Sequence, residues 1–323
     1  MTVPEPQRRT VAPSDLRCSN CLFEEEWWLD AVAPGAWGAV EVREGGLVQA
    51  RLTYGLGRVL GQVALRQPPL TQTLGPWYLD TGAKSANRLE REKDLAKELI
   101  HQLPAHSFFS INFHRSVTNW LPFFWKGFGA VPRFTYVLHD LSDDNLLWNG
   151  LKENIRREVR KARKQVEVQT TDDVDLFLSL HQKTFDRQRA AMPHSVDTVR
   201  RLDAVCAARG SRRIYVARDE QGRPHAGVYV VFDDRCCYYL MGGGDPMLRK
   251  SGAGSLLIWQ AILDAGSSSR VFDFEGSMAE PIERFFRSFG ASQSPYLNLR
   301  RSNRWIGATE GLRDAWRSLT APR

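Results

Sequence analysis

Long apolar runs are missing from this chain: the longest, Ser255 to Leu263, falls far short of the roughly 20 residues a helix needs to cross a bilayer. No transmembrane helix is expected. An apolar signal core is missing too, because the opening MTVPEPQRRTVAPSD is rich in Pro and Arg. Residues 1–17 are read as a flexible leader and the chain as cytoplasmic. Cysteine is scarce and odd in number, five in all, and the adjacent Cys236 and Cys237 would point to opposite faces of a strand. That excludes a disulfide scaffold. Cys18 and Cys21 form a CxxC, but no second pair or histidine cluster at zinc spacing joins them, so no metal is expected. Acids are outnumbered, 37 Asp and Glu against 44 Lys and Arg, and the net charge of +7 favours an anionic partner such as nucleic acid, a phosphate-bearing donor or a membrane surface.

What is present is enough apolar residue (42% of the 323) for two domains of ordinary size. An internal echo supports that division. FFWKGFGAVPRFTYVL (Phe123 to Leu138) aligns with FFRSFGASQSPYLNL (Phe285 to Leu299) after a one-residue shift, and INFHRSVTNWLP before the first copy aligns with FDFEGSMAEPIER before the second. Each copy reads as strand, polar turn, short aromatic helix, FGA, strand.

Periodicity and punctuation give the second half the order α-α-β-β-β-loop-α-β-α-β. DDVDLFLSLHQKTFDRQ reads as a helix capped by Asp172, and SVDTVRRLDAVCAARG as a helix capped by Ser195 and stopped at Gly210. RRIYVARD, HAGVYVVFD and RCCYYLMGG read as strands, and RKSGAGSLLIWQAILDAG (Arg249 to Gly266) as a glycine loop entering an apolar helix. FEEEWWLDAV and SANRLEREKDLAKELIHQL are helices of the first half, and DDNLLWNGLKENIRREVRKARK is read as one long basic helix between the halves.

This order resembles the GNAT acyltransferase fold, and the doubling resembles the FemABX group of tandem-GNAT aminoacyltransferases. YVLHDLSDDNLLWNGLKENIRREVRKARK, TFDRQ and FDFEGSMAEPIERFFRSFGA with PYLNL carry the likeness, which extends from about Phe23 to Arg301. It implies an α/β (α+β, mixed-sheet) architecture: a first GNAT-like domain at 18–142, a linking basic helix at 143–165, a second GNAT-like domain at 166–302 and a C-terminal helix at 303–323. It also implies amide formation by an amine that attacks an activated acyl group. In FemABX enzymes the donor is aminoacyl-tRNA and the acceptor a peptidoglycan precursor; simpler GNAT enzymes use acyl-CoA. Neither donor is expected to stay tightly bound. A pair of GNAT folds that only binds RNA or nucleotide is the non-enzymatic alternative.

On the GNAT likeness, Gly252, Ala253 and Gly254 would bring backbone amides and a helix N-terminus to a diphosphate, with Arg249 and Lys250 adding charge. The alternative is a turn whose glycines solve a steric problem. Gly243, in the run Gly242 to Gly244 that ends a strand, would present an amide to the acyl carbonyl. In FDFEGS, strand alternation would put Asp273 and Glu275 on one face, where either could deprotonate the attacking amine; otherwise one pairs with an arginine such as Arg287 or Arg300. Tyr296 could protonate the leaving group. Arg187 and Gln188 in TFDRQ, Ser277, Lys161 of the basic helix and Trp77 in GPWY complete the candidates for substrate contact. Ser277 could equally cap a helix, Trp77 could lie in the core, and the basic helix could be a solvated face.

Overall fold

The computed structural model describes residues 17–276 and 278–303. Most of the leader, Ser277 and nearly all of the expected C-terminal helix lie outside the described residues. After a 3-10 turn at Leu22–Glu24 come α1 (Glu26–Val32), β1 (Trp37–Glu44), β2 (Leu47–Val59), β3 (Gln62–Arg66), β4 (Pro76–Tyr78), α2 (Ser85–Gln102), β5 (Phe108–Asn112), α3 (Leu121–Trp125) and β6 (Gly129–Leu138). The second half holds α4 (Asp144–Gly150), α5 (Glu153–Ala162), β7 (Glu167–Thr171), α6 (Val174–Gln188), α7 (Val196–Ala208), β8 (Arg212–Arg218), β9 (Pro224–Phe232), β10 (Cys236–Gly244), α8 (Ala253–Ala265), β11 (Val271–Asp273), α9 (Glu280–Arg287) and β12 (Ser292–Ser302).

One mixed sheet of 12 strands runs through both halves in the order β1-β2-β3-β5-β12-β6-β11-β10-β9-β8-β7, with β4 paired to β2 outside that path. The halves trade strands at the centre: β12 lies between β5 and β6, and β6 lies between β12 and β11. The parallel pairs of named strands, β3 with β5 and β10 with β11, sit symmetrically about this exchange. The register repeats too. Asn112 faces Asn298 across β5 and β12, and Asp273 faces Val137 across β11 and β6; each residue has moved by 161 positions to its counterpart. Backbone bonds follow the same rule, from Phe113 N to Leu297 O (2.7 Å) and from Phe274 N to Tyr136 O (2.9 Å).

Three local expectations are corrected. The basic stretch between the halves is two helices, because Leu151 is extended and the Lys152 amide turns away to donate to Ser288 O (2.9 Å). The cap of α6 is Asp173, whose carboxylate accepts from the Leu176 amide (2.9 Å), while Asp172 pairs with Arg212. The first helix is split into the 3-10 turn and α1, since Glu25 between them is extended. Ser195 caps α7 as expected.

α8 is buried on nearly all sides, with Leu256, Leu257, Ile258, Trp259, Ala261 and Ile262 each at 3% exposure or less. It packs between β9 and α5, which offers Ile155, Val159 and Ala162. Each such aliphatic side chain contributes about 1.5–3 kcal/mol on burial, so α8 and the loop before it are held firmly against the sheet. No helix among the described residues is long and apolar enough to cross a membrane.

Candidate active site

β10 and β11 pair only from Cys236–Tyr238 to Val271–Asp273. β11 then stops, whereas β10 continues to Gly244 through an irregularity between Tyr239 and Met241. Past Tyr238, one edge of β10 has no strand beside it among the described residues, so backbone amides on that edge face a gap. The glycines at its end answer to packing. A Cβ on Gly243 would come within 2.4 Å of His181 Cα, His181 Nδ1 donates to Gly242 O (2.9 Å), and Gly244 N donates to Thr184 Oγ1 (3.1 Å). Gly243 is thus a glycine because α6 lies directly on β10.

The two carboxylates expected on one strand face are arranged otherwise. The strand ends at Asp273, and Glu275 takes a left-handed conformation with φ 55°, a strained geometry for a non-glycine residue. Asp273 causes the departure: its Oδ1 accepts both the Thr135 hydroxyl and the Glu275 amide, the latter at 2.9 Å. The Gly276 amide then donates to Thr135 Oγ1 (2.9 Å), and a Cβ on Gly276 would stand 1.8 Å from Phe134 O. Asp273 is 6% exposed and pairs with Arg115 (Nε to Oδ2 3.6 Å). Of the arginines expected to serve it, Arg287 bonds Glu283 (2.7 Å) and Arg300 bonds Asn298 (2.5 Å).

Glu275 is left with a carboxyl oxygen, Oε1, sealed from water and without a hydrogen-bond partner. Burial, reinforced by the charge of Asp273, holds its pKa well above the ordinary carboxyl range. Asp273 is raised as well, by burial, against the opposing pull of Thr135, Arg115 and the Glu275 amide. Tyr296, 5% exposed, reaches the same place from β12. Burial raises its pKa against the pull of Arg133, and Glu275 and Asp273 act in the same direction as burial, so Tyr296 keeps its proton at neutral pH. The structure therefore gathers Glu275, Asp273 and Tyr296.

The RKSGAG loop forms a 3-10 turn at Arg249–Ser251 and enters α8 through Gly252, whose φ of 80° requires glycine and whose Cβ would meet Glu158 O at 2.8 Å. Gly254 differs: a Cβ there would meet nothing within 4 Å. Packing does not explain that glycine, and the space beside it is open at the N-terminus of a 13-residue helix. Arg249 and Lys250 are exposed, and Lys161 joins them by donating from Nζ to Lys250 O (2.5 Å). An acid is also near, since Glu158 accepts the hydroxyl of the buried Ser255. On its open side the loop fits a phosphate, with Gly254, Arg249, Lys250 and Lys161 as the groups to hold it.

Other candidates lie apart. Arg187 and Gln188 are exposed at the C-terminal end of α6, and Trp77 sits in β4 against β2, toward the opposite end of the sheet. Arg115 and Thr135 were not foreseen. With His114, Tyr238, Asp273 and Tyr296 they line a small pocket beside Glu275. The signal was in the echo, which sets His114 and Arg115 opposite Glu275 and Gly276.

Comparison with known proteins bears out the GNAT likeness. Residues 150–285 match the family model of the acetyltransferase (GNAT) domain. Among solved structures, FemX is similar over 86% of this chain and 92% of its own (14% identity, TM-score 0.66). The C-terminal domain of a putative lysylphosphatidylglycerol synthetase from Agrobacterium fabrum covers 88% of this chain and 89% of its own (16%, 0.55). A conserved protein of unknown function from Bacteroides thetaiotaomicron covers 89% and 93% (12%, 0.53). At these identities the likeness is one of fold. No curated protein matches the chain.

Proposed function

We propose that this chain, whose residues 150–285 match the acetyltransferase (GNAT) domain family, is a tandem-GNAT acyltransferase of the FemABX kind that transfers an aminoacyl group from tRNA to an amine, on a cell-wall precursor or a small molecule. The first GNAT-like unit would be 18–142 and the second 166–302, and the 161-residue register symmetry about the exchanged strands supports the duplication. The observation that carries the chemical reading is Glu275, a buried carboxyl with an unpartnered oxygen and a raised pKa where β10 and β11 part.

In this reading the acceptor nitrogen gives a proton to the Glu275 carboxylate as it bonds to the acyl carbon. A carboxyl with raised pKa is a stronger base than an ordinary one, which is what removal of the acceptor's proton calls for. The unpaired edge of β10 offers amides to the carbonyl oxygen as negative charge develops. The ester bond to the donor then breaks, and Tyr296, which holds its proton, can supply one to the leaving oxygen. Asp273 and Thr135 fix the turn that aims Glu275.

A second donor, acyl-CoA, is favoured by one observation: the open space at Gly254 beside Lys161, Arg249 and Lys250. Equilibrium binding of charged tRNA and of acetyl-CoA to the full chain, each at two salt concentrations, separates the readings. Tight, strongly salt-dependent tRNA binding is expected. Coenzyme binding without tRNA binding would transfer the proposal to acyl-CoA.

A further inference from the structure

Arg115 follows β5, and its side chain is only 19% exposed. A guanidinium carries five N–H donors, yet Arg115 makes no hydrogen bond among the described residues, and its Nε is sealed from water. Its one ionic partner does not saturate it. Asp273 Oδ2 stands 3.6 Å from Nε, beyond hydrogen-bonding distance, and Oδ1 is taken by Thr135 and by the Glu275 amide. A buried donor without an acceptor is costly, and Arg115 lines a pocket with the hydroxyl-bearing Tyr238, Tyr296 and Thr135. Among the described residues nothing else in the pocket supplies an anion to Arg115: His114 is pushed down to about 3 by burial and by the charges of Arg115 and Arg235, so it stays neutral, and Arg235 itself is held by Asp233 (2.6 Å).

We infer that Arg115 binds a carboxylate on the acceptor, so that the acceptor is an amine carrying a free carboxylate a few bonds from the nucleophilic nitrogen, as in an amino acid or a peptide terminus. This rests on the reading of Glu275 as the base. Asp273 links the two positions, since one of its oxygens faces Arg115 and the other holds the Glu275 backbone. Asp273 thus stands between Arg115 and the backbone of Glu275, so one acceptor bearing both groups is the simplest ligand for the two positions. The planar guanidinium fork suits a carboxylate accepted in two parallel bonds. A plain alkylamine would leave those donors unpaired.

The test is calorimetric binding to the full chain of two matched pairs, L-lysine with L-lysinamide and L-alanine with L-alaninamide, which differ in the carboxylate. At least one carboxylate member is expected to bind about tenfold or more tighter than its amide. Arg115→Gln should reduce that preference to within about twofold, and Arg115→Lys, which keeps the charge and loses the fork, should fall between. Glu275→Gln should keep the preference, so a failure of Glu275 as base would appear in turnover and leave this binding result standing. Equal affinities within both pairs, no binding of either carboxylate, or a preference that survives Arg115→Gln in folded protein would each overturn the inference.

Discussion

Phe134 and Pro295 face each other at the centre of the β6–β12 pairing and are 161 residues apart, the interval that relates the central strands of the two halves. In an antiparallel pair a residue can face its own counterpart only at a two-fold axis, so the symmetry axis of the proposed duplication passes here. Thr135 and Tyr296 are counterparts beside that axis. So are His114 and Glu275, where the echo places an imidazole in one half and a carboxyl in the other. One half holds a buried carboxyl whose pKa is raised, and the other a neutral histidine bonded to Ser116 (2.7 Å).

The turn that aims Glu275 depends on the absence of a side chain at Gly276, where a Cβ would stand 1.8 Å from Phe134 O. Gly276→Ala must move backbone, and overpacking of this kind costs about 1–3 kcal/mol. Urea unfolding should show that loss, and turnover should fall further than the lost folded fraction explains.

Gly252 and Gly254 should respond oppositely to alanine. Gly252→Ala combines a positive φ with a contact to Glu158 O at 2.8 Å and should destabilise by about 1–3 kcal/mol. Gly254→Ala meets open space in a helix and should be neutral or stabilising by up to about 1 kcal/mol, yet it should weaken donor binding by filling the phosphate approach. Unchanged donor affinity in folded Gly254→Ala would mean that the loop is only a turn.

Thr135→Val removes the hydroxyl that both donates to Asp273 and accepts from the Gly276 amide. Two hydrogen bonds of roughly 1 kcal/mol each are lost, with a buried carboxylate left short of a donor. Denaturant midpoints should fall accordingly. The pH–rate profile should shift as well, because the charge beside Glu275 loses a stabilising donor; Thr135→Ser should restore both.

Much of the fold was legible in the sequence because strands and helices announce themselves locally: the elements of the second half, the cap at Ser195 and the glycine entry to α8 all follow from short-range pattern. The conformation of Glu275 was not legible. FDFEGS alternates like a strand to its end, and what breaks the strand is Thr135, 138 residues earlier in the chain. The pairing of Asp273 with Arg115 was hidden for the same reason. So was the single sheet, since an apolar strand pattern does not say which half supplies its neighbour. The split between α4 and α5 depends on Ser288 O, again remote in sequence.

Glu275 also sets a pH dependence of stability. A carboxyl that holds its proton more tightly folded than unfolded stabilises the fold most at low pH; that contribution is lost as pH rises from the ordinary value of 4.5 through the raised folded one. Wild-type stability should therefore fall relative to Glu275→Gln across this window, by up to about 1.4 kcal/mol per pH unit.

The most direct measurement is turnover of Glu275→Gln against wild type, with the donor that binds, across pH 5 to 9. Wild-type kcat should rise with pH through the raised Glu275 pKa. The variant should bind donor normally, be at least as stable near neutrality, and lose about 10²–10⁴ in kcat together with that pH limb. A variant that turns over at the wild-type rate, with the same pH profile, would contradict the assignment of Glu275 as the base.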